Sequence, residues 1–249
     1  MAVRYDMPHM GGSTISTKLT AKLVNELRNG EYAQCERLPS EVNAAACVPV
    51  SRSVLRGVVS RLERAGFVER GRGIGTIIHR AVVNMSIRMD IKYEYHELVR
   101  GMGYTPSADH VRLSERLADD ALAEKLELDA GAELIVCEKR ILANGKPVIY
   151  SIDHLPKNLF QGMNYLQFDW SLPIFDILEE KCGILVDTDV AKLSATNGIA
   201  QVRQILELGE GEALILLDEV GYYKLSRPIL QSYGFYTNFF DFTMLRKKF

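Results

Sequence analysis

Residues 69–78 read ERGRGIGTII, a stretch whose composition suits contact with phosphate. Gly71, Gly73 and Gly75 recur at every second position, and Arg72 lies between the first two. Glycine allows the backbone to approach a ligand closely, and arginine pairs with phosphate oxygens. The phosphate of a bound nucleotide and that of a nucleic-acid backbone both fit such a loop, and they imply different classes of protein.

The segments around this loop argue against a nucleotide site. A dinucleotide-binding loop follows a strand and opens a helix, whose N-terminus faces the pyrophosphate. Here a helical pattern and a short apolar pair precede the glycines, and the β-branched run 76–78 follows them, which predicts a hairpin. A Walker loop would need Gly-Lys-Ser or Gly-Lys-Thr after the glycines, and neither occurs.

The residues before the loop have the apolar spacing of helices. One apolar face is predicted over about 15–29 and another over about 52–65. Between them, Ser40 is a suitable N-cap for a short helix over about 41–46, and Ser51 caps the longer helix that follows. A helix, a short helix, a turn, a longer helix and a hairpin form a winged helix-turn-helix, whose second helix enters the major groove of DNA.

The charge distribution agrees with a polyanionic partner for this segment. Residues 1–80 contain 12 Lys and Arg against 7 Asp and Glu, whereas residues 81–249 contain 18 against 25. A basic segment joined to an acidic one suggests a polyanionic partner for the first segment only, with chance fluctuation of the charges as the alternative.

These motifs resemble the DNA-binding region of the GntR transcription regulators over about residues 15–79. The resemblance rests on LPSE at 38–41, SRSVLR at 51–56, GFVER at 66–70 and GIGT at 73–76. Gly57 departs from the pattern, since alanine is usual there. By resemblance, arginines of the longer helix read bases, and the hairpin forms a wing that touches the backbone. The implied DNA-binding residues are Arg37, Ser40, Ser51, Arg52, Ser53, Arg56, Arg72, Gly73 and Thr76.

An internal repeat marks the rest of the chain. LELDAGAELIV at 126–136 matches LELGEGEALIL at 206–216, an offset of 80 residues. Each copy continues into a strand, a turn near Pro147 or Pro228, and a second strand. The first turn contains Asn-Gly, the strongest short hairpin signal. The repeat predicts two halves that pair into one antiparallel sheet with pseudo-twofold symmetry.

This region resembles the UTRA effector domain of the HutC subfamily, which shares its fold with chorismate lyase. The resemblance covers about residues 95–245 and rests on GYTP at 103–106, NGKPV at 144–148 and RPILQS at 227–232. It implies a ligand pocket between the two halves, lined by Arg140, Ser151, Asp153, Ser232, Tyr233 and Tyr236. Because Ser151 and Tyr233 stand where many relatives carry charged residues, we expect a pocket with reduced charge. From the aromatic-rich stretch QSYGFYTNFFDF at 231–242, most of which we expect to pack in the core, we hypothesise a planar, ring-shaped effector.

The expected fold is α+β. A winged helix-turn-helix is predicted over 13–79, a linker over 80–94, and a UTRA-like effector-binding and dimerisation domain over 95–249. The domain would hold a chorismate-lyase-like antiparallel sheet with helices. The expected function is transcriptional repression by a homodimer that binds a pseudo-palindromic operator in double-stranded DNA and responds to a small-molecule effector.

Two other functions fit parts of the sequence. A chorismate-lyase-like domain is compatible with an enzyme, because fold does not determine function. However, no catalytic residues are assigned: Asp153 and His154 are adjacent, so strand alternation points them to opposite faces. A non-specific architectural DNA binder is the second alternative, and it would not need the large C-terminal region.

Composition limits the remaining possibilities. No cofactor is expected, and no metal site, since the histidines and the four cysteines lack ligand spacing. No run of 18 apolar residues occurs, so no membrane partner is expected. The N-terminus lacks a secretory h-region, and the cysteines suit free thiols, which together predict a cytoplasmic protein.

Overall fold

The computed structural model describes residues 15–39, 51–85, 87–224 and 226–247. The predicted helix at 41–46, the cap Ser40 and the thiol of Cys47 lie outside these ranges. The chain divides into two compact units. Of the described residues, the first unit contains those up to Ile91 together with 242–247, and the second contains those from Lys92 to Asp241.

The first unit combines helices with a small sheet. In chain order its elements are α1 (Ile15–Asn29), β1 (Arg37–Leu38), α2 (Arg52–Arg64), β2 (Val68–Gly71), β3 (Gly75–Ile78), α3 (Arg80–Val83), β4 (Ile87–Arg88) and, from the end of the chain, β11 (Phe242–Thr243). Strands β1, β3 and β2 form an antiparallel sheet in that order, and β4 pairs with β11 in parallel. The predicted helices over 15–29 and 52–65 and the hairpin after them are therefore confirmed.

The core of this unit is built from the predicted apolar faces. Leu27 from α1 and Val58 and Leu62 from α2 are fully buried and pack with Phe67. Arg80 closes the end of α1, because its guanidinium donates to the carbonyls of Leu27 at 2.7 Å and Cys35 at 3.1 Å. The last carbonyls of a helix have no partner within the helix, so this arginine satisfies acceptors that would otherwise be orphaned.

The second unit is a six-stranded antiparallel sheet with helices. Its elements are α4 (Tyr95–Gly101), β5 (Pro106–Leu117), α5 (Asp120–Leu126), β6 (Glu133–Ala143), β7 (Lys146–Pro156), two 3₁₀ turns (Lys157–Phe160 and Tyr165–Gln167), α6 (Ile174–Cys182), β8 (Val186–Thr196), α7 (Ala200–Ile205), β9 (Leu214–Tyr223) and β10 (Arg227–Tyr236). The strand order is β5-β6-β7-β10-β9-β8. The second half of the sheet thus repeats the first in reverse about the central β7–β10 pair, which confirms the predicted pseudo-twofold arrangement.

Backbone conformation follows the repeat residue by residue. Glu127 and Glu207, 80 positions apart, lie just after α5 and α7 and have positive φ values of 52° and 55°. Gly131 and Gly211 follow, both with φ of 78°. Such left-handed conformations are uncommon for non-glycine residues, so their recurrence at matching positions indicates the same helix-to-strand turn in each half.

The two hairpins also share a bulge. The register of β6 and β7 skips Val148, and the register of β9 and β10 skips Ile229, 81 positions later. One extra residue on one strand reverses the faces on which the residues beyond it lie. The faces of the central strands therefore cannot be obtained by counting residues from the turns.

The units differ from the predicted domain boundaries at both ends of the effector domain. Part of the predicted linker forms α3 and β4 in the first unit. Residues 242–247, predicted to end the effector domain, also belong to the first unit. The reason is non-local: β11 pairs with β4, and the side chain of Leu245 packs against the apolar core of the first unit.

Gly57 offers a test of helix stability in the first unit. It is exposed in α2, and a Cβ built there meets no atom within 4 Å beyond the helix's own backbone. We expect Gly57→Ala to raise the free energy of unfolding by about 0.5–1 kcal/mol, because glycine loses the most conformational freedom on folding. Chemical denaturation measures the change. Gly73→Ala is the control with the opposite sign, since its φ of 73° strains any other residue.

Candidate nucleic-acid interface and ligand site

The N-terminal end of α2 is capped and presents a basic surface. The Ser51 hydroxyl accepts a hydrogen bond from the backbone N–H of Val54 at 3.3 Å and lies 2.9 Å from the hydroxyl of Ser53. Arg52, Ser53 and Arg56 are exposed, while the opposite side of α2 is buried in the core. The predicted cap is confirmed, and the side chains assigned to base reading face solvent.

The glycine-rich stretch is the tip of the hairpin β2–β3. Gly73 and Gly75 have φ values of 73° and 91°, a region that glycine enters without strain. Arg72 is exposed at this tip, as a wing that touches phosphate requires. Thr76 follows the tip closely in the middle strand, where it pairs with Arg70 on one side and Leu38 on the other. Its position between two strands suits a residue that anchors the wing.

Arg37 lies on the edge strand β1, exposed and opposite Ile77. It belongs to the same small sheet as the wing. Ser40, assigned by resemblance to the same role, lies outside the described residues.

Arg70 fastens the wing to α2, a role that the sequence analysis missed. Its guanidinium donates to the Ser60 hydroxyl at 2.8 Å and to the Arg56 carbonyl at 3.3 Å. Its backbone N–H also donates to the Glu63 carboxylate at 3.1 Å, and the two side chains form an ion pair at 3.6 Å. The arginine of the GFVER motif therefore fixes the angle between wing and helix.

In the second unit, a buried carboxylate joins the two repeats. Asp153 on β7 is fully buried, and its oxygens accept hydrogen bonds from the hydroxyls of Ser151 at 2.8 Å and Ser232 at 2.6 Å. Ser151 and Ser232 occupy equivalent positions of the repeat, 81 residues apart. Three of the predicted effector residues thus lie together on one side of the sheet, called the first face below.

Charged groups continue along the first face beside Ser232. Lys92 donates to Glu219 at 3.0 Å and lies 3.4 Å from Asp189. Burial by itself lowers the pKa of Lys92, but the two carboxylates outweigh it and raise the pKa overall. Burial likewise raises the pKa of Asp189 and of Glu219. About 31% of the Lys92 side chain is exposed, against 7% and 4% for its partners, so the lysine is the accessible member.

Two tyrosines and a glutamate complete this region. The rings of Tyr95 and Tyr236 meet edge to face at 6.1 Å between centroids, and burial raises the pKa of both hydroxyls. Gly234 leaves room for this arrangement, since a Cβ there would lie 2.8 Å from the Tyr236 ring. Burial raises the pKa of Glu94 from 4.5 to about 7, even though Lys92 and other groups oppose the shift.

Lys139 also lies on the first face. It pairs with Ser151 across β6 and β7, and its ammonium donates to the carbonyls of Leu172 at 2.6 Å and Trp170 at 3.4 Å. Together these residues form what we call the polar cluster. Its members are Lys92, Glu94, Tyr95, Lys139, Ser151, Asp153, Asp189, Glu219, Ser232 and Tyr236.

The structure does not bring all six predicted effector residues together. Arg140 lies on the opposite face, where it forms a bidentate ion pair with Asp109, two bonds of 2.8 Å, and a further bond to Glu207 at 2.7 Å. Tyr233 lies on that face as well, edge-on to His154 with centroids 6.0 Å apart. Only four of the six, Ser151, Asp153, Ser232 and Tyr236, belong to the polar cluster.

The bulge in the first hairpin explains the position of Arg140. Next to the turn, Ala143 pairs with Lys146 and Leu142 with Pro147. If this register continued along both strands, Arg140 would lie on the same face as Ser151. The register shift between Ile141 and Leu142 instead puts Lys139 opposite Ser151. Because side chains alternate with a period of two, one extra residue transfers Arg140 to the other face.

The polar cluster carries more charge than the sequence predicted. Four carboxylates and two ammonium groups lie on or beside one face of the sheet, although we expected a pocket poor in charge. Glu219 could have been found from the repeat, because it is the equivalent of Lys139 at the offset of 80. Lys92, Glu94 and Asp189 come from segments whose pairing partners are distant in sequence, so no local pattern marks them.

Two further observations concern the described part of the chain only. Within it, no group of three or more His, Cys, Asp or Glu side chains is arranged to hold a metal ion. Among its helices, none is both long enough and apolar enough to span a membrane.

Comparison with protein families agrees with both units. The family model described as UTRA domain matches residues 101–238, more than half of the chain. The family model described as bacterial regulatory proteins, gntR family, matches residues 15–78. These ranges cover the six-stranded sheet and the helix–wing unit, respectively.

Individual relatives are named as transcriptional regulators, and the chain matches most of the length of each. The chain is 23% identical to the uncharacterized HTH-type transcriptional regulator YurK of Bacillus subtilis over 96% of this chain and 98% of that protein. It is 27% identical to the probable transcriptional regulator PhnF of Escherichia coli, over 77% of each. It is 22% identical to the HTH-type transcriptional repressor NagR of Bacillus subtilis, over 82% of this chain and 83% of the repressor.

Solved structures show the same fold. The crystal structure of PhnF from Mycobacterium smegmatis aligns with a TM-score of 0.60 and 22% identity, over 94% of this chain and 99% of that one. The crystal structure of a possible transcriptional regulator, YydK of Bacillus subtilis, aligns with a TM-score of 0.71 and 16% identity. The alignment covers 94% of this chain and 98% of that one. With a gntR-type reader, a UTRA domain and this fold, the chain belongs to the GntR family and is a DNA-binding transcriptional regulator of the HutC type with a ligand-controlled UTRA domain.

Proposed function

We propose that this protein is a cytoplasmic, homodimeric repressor that releases a pseudo-palindromic operator when a small molecule binds its UTRA domain. The observation that carries the proposal is the exposed basic end of α2 beside an arginine-tipped wing in a chain that also has a UTRA domain. No catalytic role is assigned to any residue.

The DNA contacts are proposed from exposure and position. Arg52, Ser53 and Arg56 lie in the first half of α2, the part of a recognition helix that contacts base edges in the major groove. Arg72 at the wing tip, and Arg37 on β1, would pair with phosphates, which fix orientation without reading sequence. Arg70 and Thr76 would hold the wing rather than touch DNA.

Dimerisation and repression are supported by symmetry and by relatives. Two copies of a winged helix read half-sites related by a twofold axis, so a homodimer implies a palindromic operator. NagR of Bacillus subtilis and PhnF of Mycolicibacterium smegmatis are both named as repressors, and this chain is 22% and 25% identical to them. We propose the same direction of control here.

The effector is proposed to bind at the polar cluster. Perturbed pKa values and buried charged groups concentrate at functional sites, and this region of the sheet has both. The carboxylates favour a ligand that presents hydrogen-bond donors or a positive charge. The planar, ring-shaped ligand that we hypothesised from the sequence stays a prediction. Such a ligand would act by binding one conformation better than the other.

The first prediction from this proposal concerns the side chains that read bases. Arg52→Ala and Arg56→Ala should each weaken binding to operator DNA, by about 1–3 kcal/mol if the side chain makes a bidentate contact with a base. Fluorescence anisotropy measures this, with the DNA upstream of the protein's own gene and with random DNA at a stated salt concentration. Arg116→Ala is the matched control, an exposed arginine of the second unit that pairs with Asp119.

Three results would contradict this assignment. If both variants bind the upstream DNA as tightly as the unchanged protein, α2 is not the recognition helix. If the unchanged protein binds upstream and random DNA equally, it is an architectural binder rather than a specific regulator. If Arg116→Ala weakens binding as much as the other two, general charge rather than position determines affinity.

The second prediction concerns the ligand. A planar cationic compound such as benzamidine should raise the melting temperature, because binding to the folded state alone stabilises it. Asp153→Asn and Glu219→Gln should reduce this shift. Differential scanning fluorimetry compares these proteins with benzamidine and with inorganic phosphate. A shift with phosphate alone would reject the proposed ligand chemistry.

The third prediction is a pH dependence from Glu94. Its pKa in the folded protein is raised from 4.5 to about 7, so its contribution to stability is present below pH 4.5 and is lost as the pH rises through about 7. The change Glu94→Gln should therefore stabilise the protein more at pH 8 than at pH 5. Melting temperatures across this range measure the difference.

Glu115 provides a control of opposite sign. Hydrogen bonds from Lys157 and Tyr165 lower the pKa of this exposed carboxylate, so its contribution is present above its ordinary pKa and lost on acidification. Glu115→Gln should lower the free energy of unfolding at neutral pH and leave it unchanged in acid. A stability difference for Glu94→Gln that does not change with pH would show that Glu94 is ionised in the folded protein throughout the range.

A further inference from the structure

The end of the chain returns to the DNA-reading unit. After β10, residues Phe242 and Thr243 pair in parallel with Ile87 and Arg88. The Thr243 hydroxyl donates to the Ile87 carbonyl at 2.8 Å, and the backbone N–H of Met89 donates to the Thr243 carbonyl at 2.8 Å. We call this two-stranded element, β4 with β11, the tail–linker ribbon.

Arg88 connects the ribbon to the recognition helix. It is only 2% exposed, and its guanidinium donates to the carbonyl of Ala65, the residue that ends α2. It also donates to Asp90 at 3.0 Å and lies 5.2 Å from the centroid of the Phe67 ring. A buried guanidinium with this many partners has one favourable position, so the end of α2 is held relative to the ribbon.

The tail adds a second connection to the same end of α2. The ammonium of Lys247 donates to the carbonyl of Arg64 at 3.4 Å. The Leu245 side chain packs so close to Gly66 that a Cβ there would lie 2.4 Å from it. The glycine that follows α2 is therefore required by the tail as well as by its own φ of 78°.

Both strands of the ribbon lead directly into the polar cluster. Lys92 follows Arg88 by four residues and binds Glu219 and Asp189. Tyr236 precedes Phe242 by six residues and packs against the ring of Tyr95.

We propose that the tail–linker ribbon is the element that couples the polar cluster to the recognition helix, with Arg88 as the positioning residue. This inference rests on the proposed control by an effector. Because β4 and β11 are hydrogen-bonded to each other, a displacement at Lys92 or Tyr236 moves them as a pair. Arg88 then transfers the displacement to the Ala65 carbonyl, and through it to the orientation of α2.

Hydrogen exchange tests the coupling on the full-length protein without any ligand. Lys92→Met removes the ammonium from the cluster and should raise exchange at residues 62–67 and 87–89 by about tenfold. Lys157→Met is the matched control, since this lysine pairs with Glu115 and Glu133 in the same unit but outside the cluster. It should leave both segments unchanged.

A double-mutant cycle separates positioning from simple stability. Arg88→Lys keeps the charge but loses the forked geometry, so it should raise exchange at residues 62–67 and also abolish their response to Lys92→Met. A purely structural arginine would give additive effects. Thr243→Val removes only the hydrogen bond from the Thr243 hydroxyl to the Ile87 carbonyl. It should reduce, without abolishing, the rise in exchange that Lys92→Met causes at residues 62–67. This variant keeps the test available if Arg88→Lys fails to fold.

Two outcomes would overturn the inference. One is that Lys92→Met leaves the exchange of α2 unaltered, and the other is that its effect adds to that of Arg88→Lys or Thr243→Val. These results are independent of the proposed function. Operator binding and stabilisation by a ligand can both be observed even if the double-mutant cycle in hydrogen exchange is additive. That combination of results would place the coupling elsewhere in the chain.

Discussion

The carboxylate of Asp153 is the constraint on which the second unit depends. A carboxylate removed from water is costly unless hydrogen-bond donors replace the solvent, and here one donor comes from each repeat. Ser151 and Ser232 can both reach it only if β7 and β10 are aligned as observed. In the neighbouring pair of strands, β9 and β10, Ser232 lies opposite Glu219, which binds Lys92. One buried group thus fixes the register of the two halves, next to the proposed ligand site.

Arginine has two different roles in the first unit, and burial separates them. Arg52, Arg56 and Arg72 are exposed and available to DNA. Arg80 and Arg88 instead donate to backbone carbonyls at the ends of α1 and α2. The second group holds the helices that present the first group. The net positive charge of this segment therefore overstates the number of side chains that could meet phosphate, and the effect of substituting an arginine depends on which group it belongs to.

The polar cluster connects the chemistry of ligand binding to the architecture of the regulator. Its Lys92 is paired with two carboxylates, so a ligand that adds or removes one charge changes the free energy of the whole network. Lys92 and Tyr236 lie a few residues from the two strands of the tail–linker ribbon. In the proposed mechanism, a small molecule bound at the cluster would act on the recognition helix through these short stretches of chain, without a rearrangement of the sheet.

The sequence by itself determined the elements with local or repeating signals: the faces of α1 and α2, the Ser51 cap, the glycine-rich wing and the two halves of the sheet. Periodicity, capping and a repeat at a constant offset depend only on residues that are neighbours in the sequence or equivalent in the repeat. Only the tertiary structure decided which side chains share a face of the sheet, because one bulge beside Val148 exchanges Arg140 for Lys139. Only it decided that the tail joins the first unit, since β11 pairs with a strand more than 150 residues earlier and no local pattern records a partner so distant.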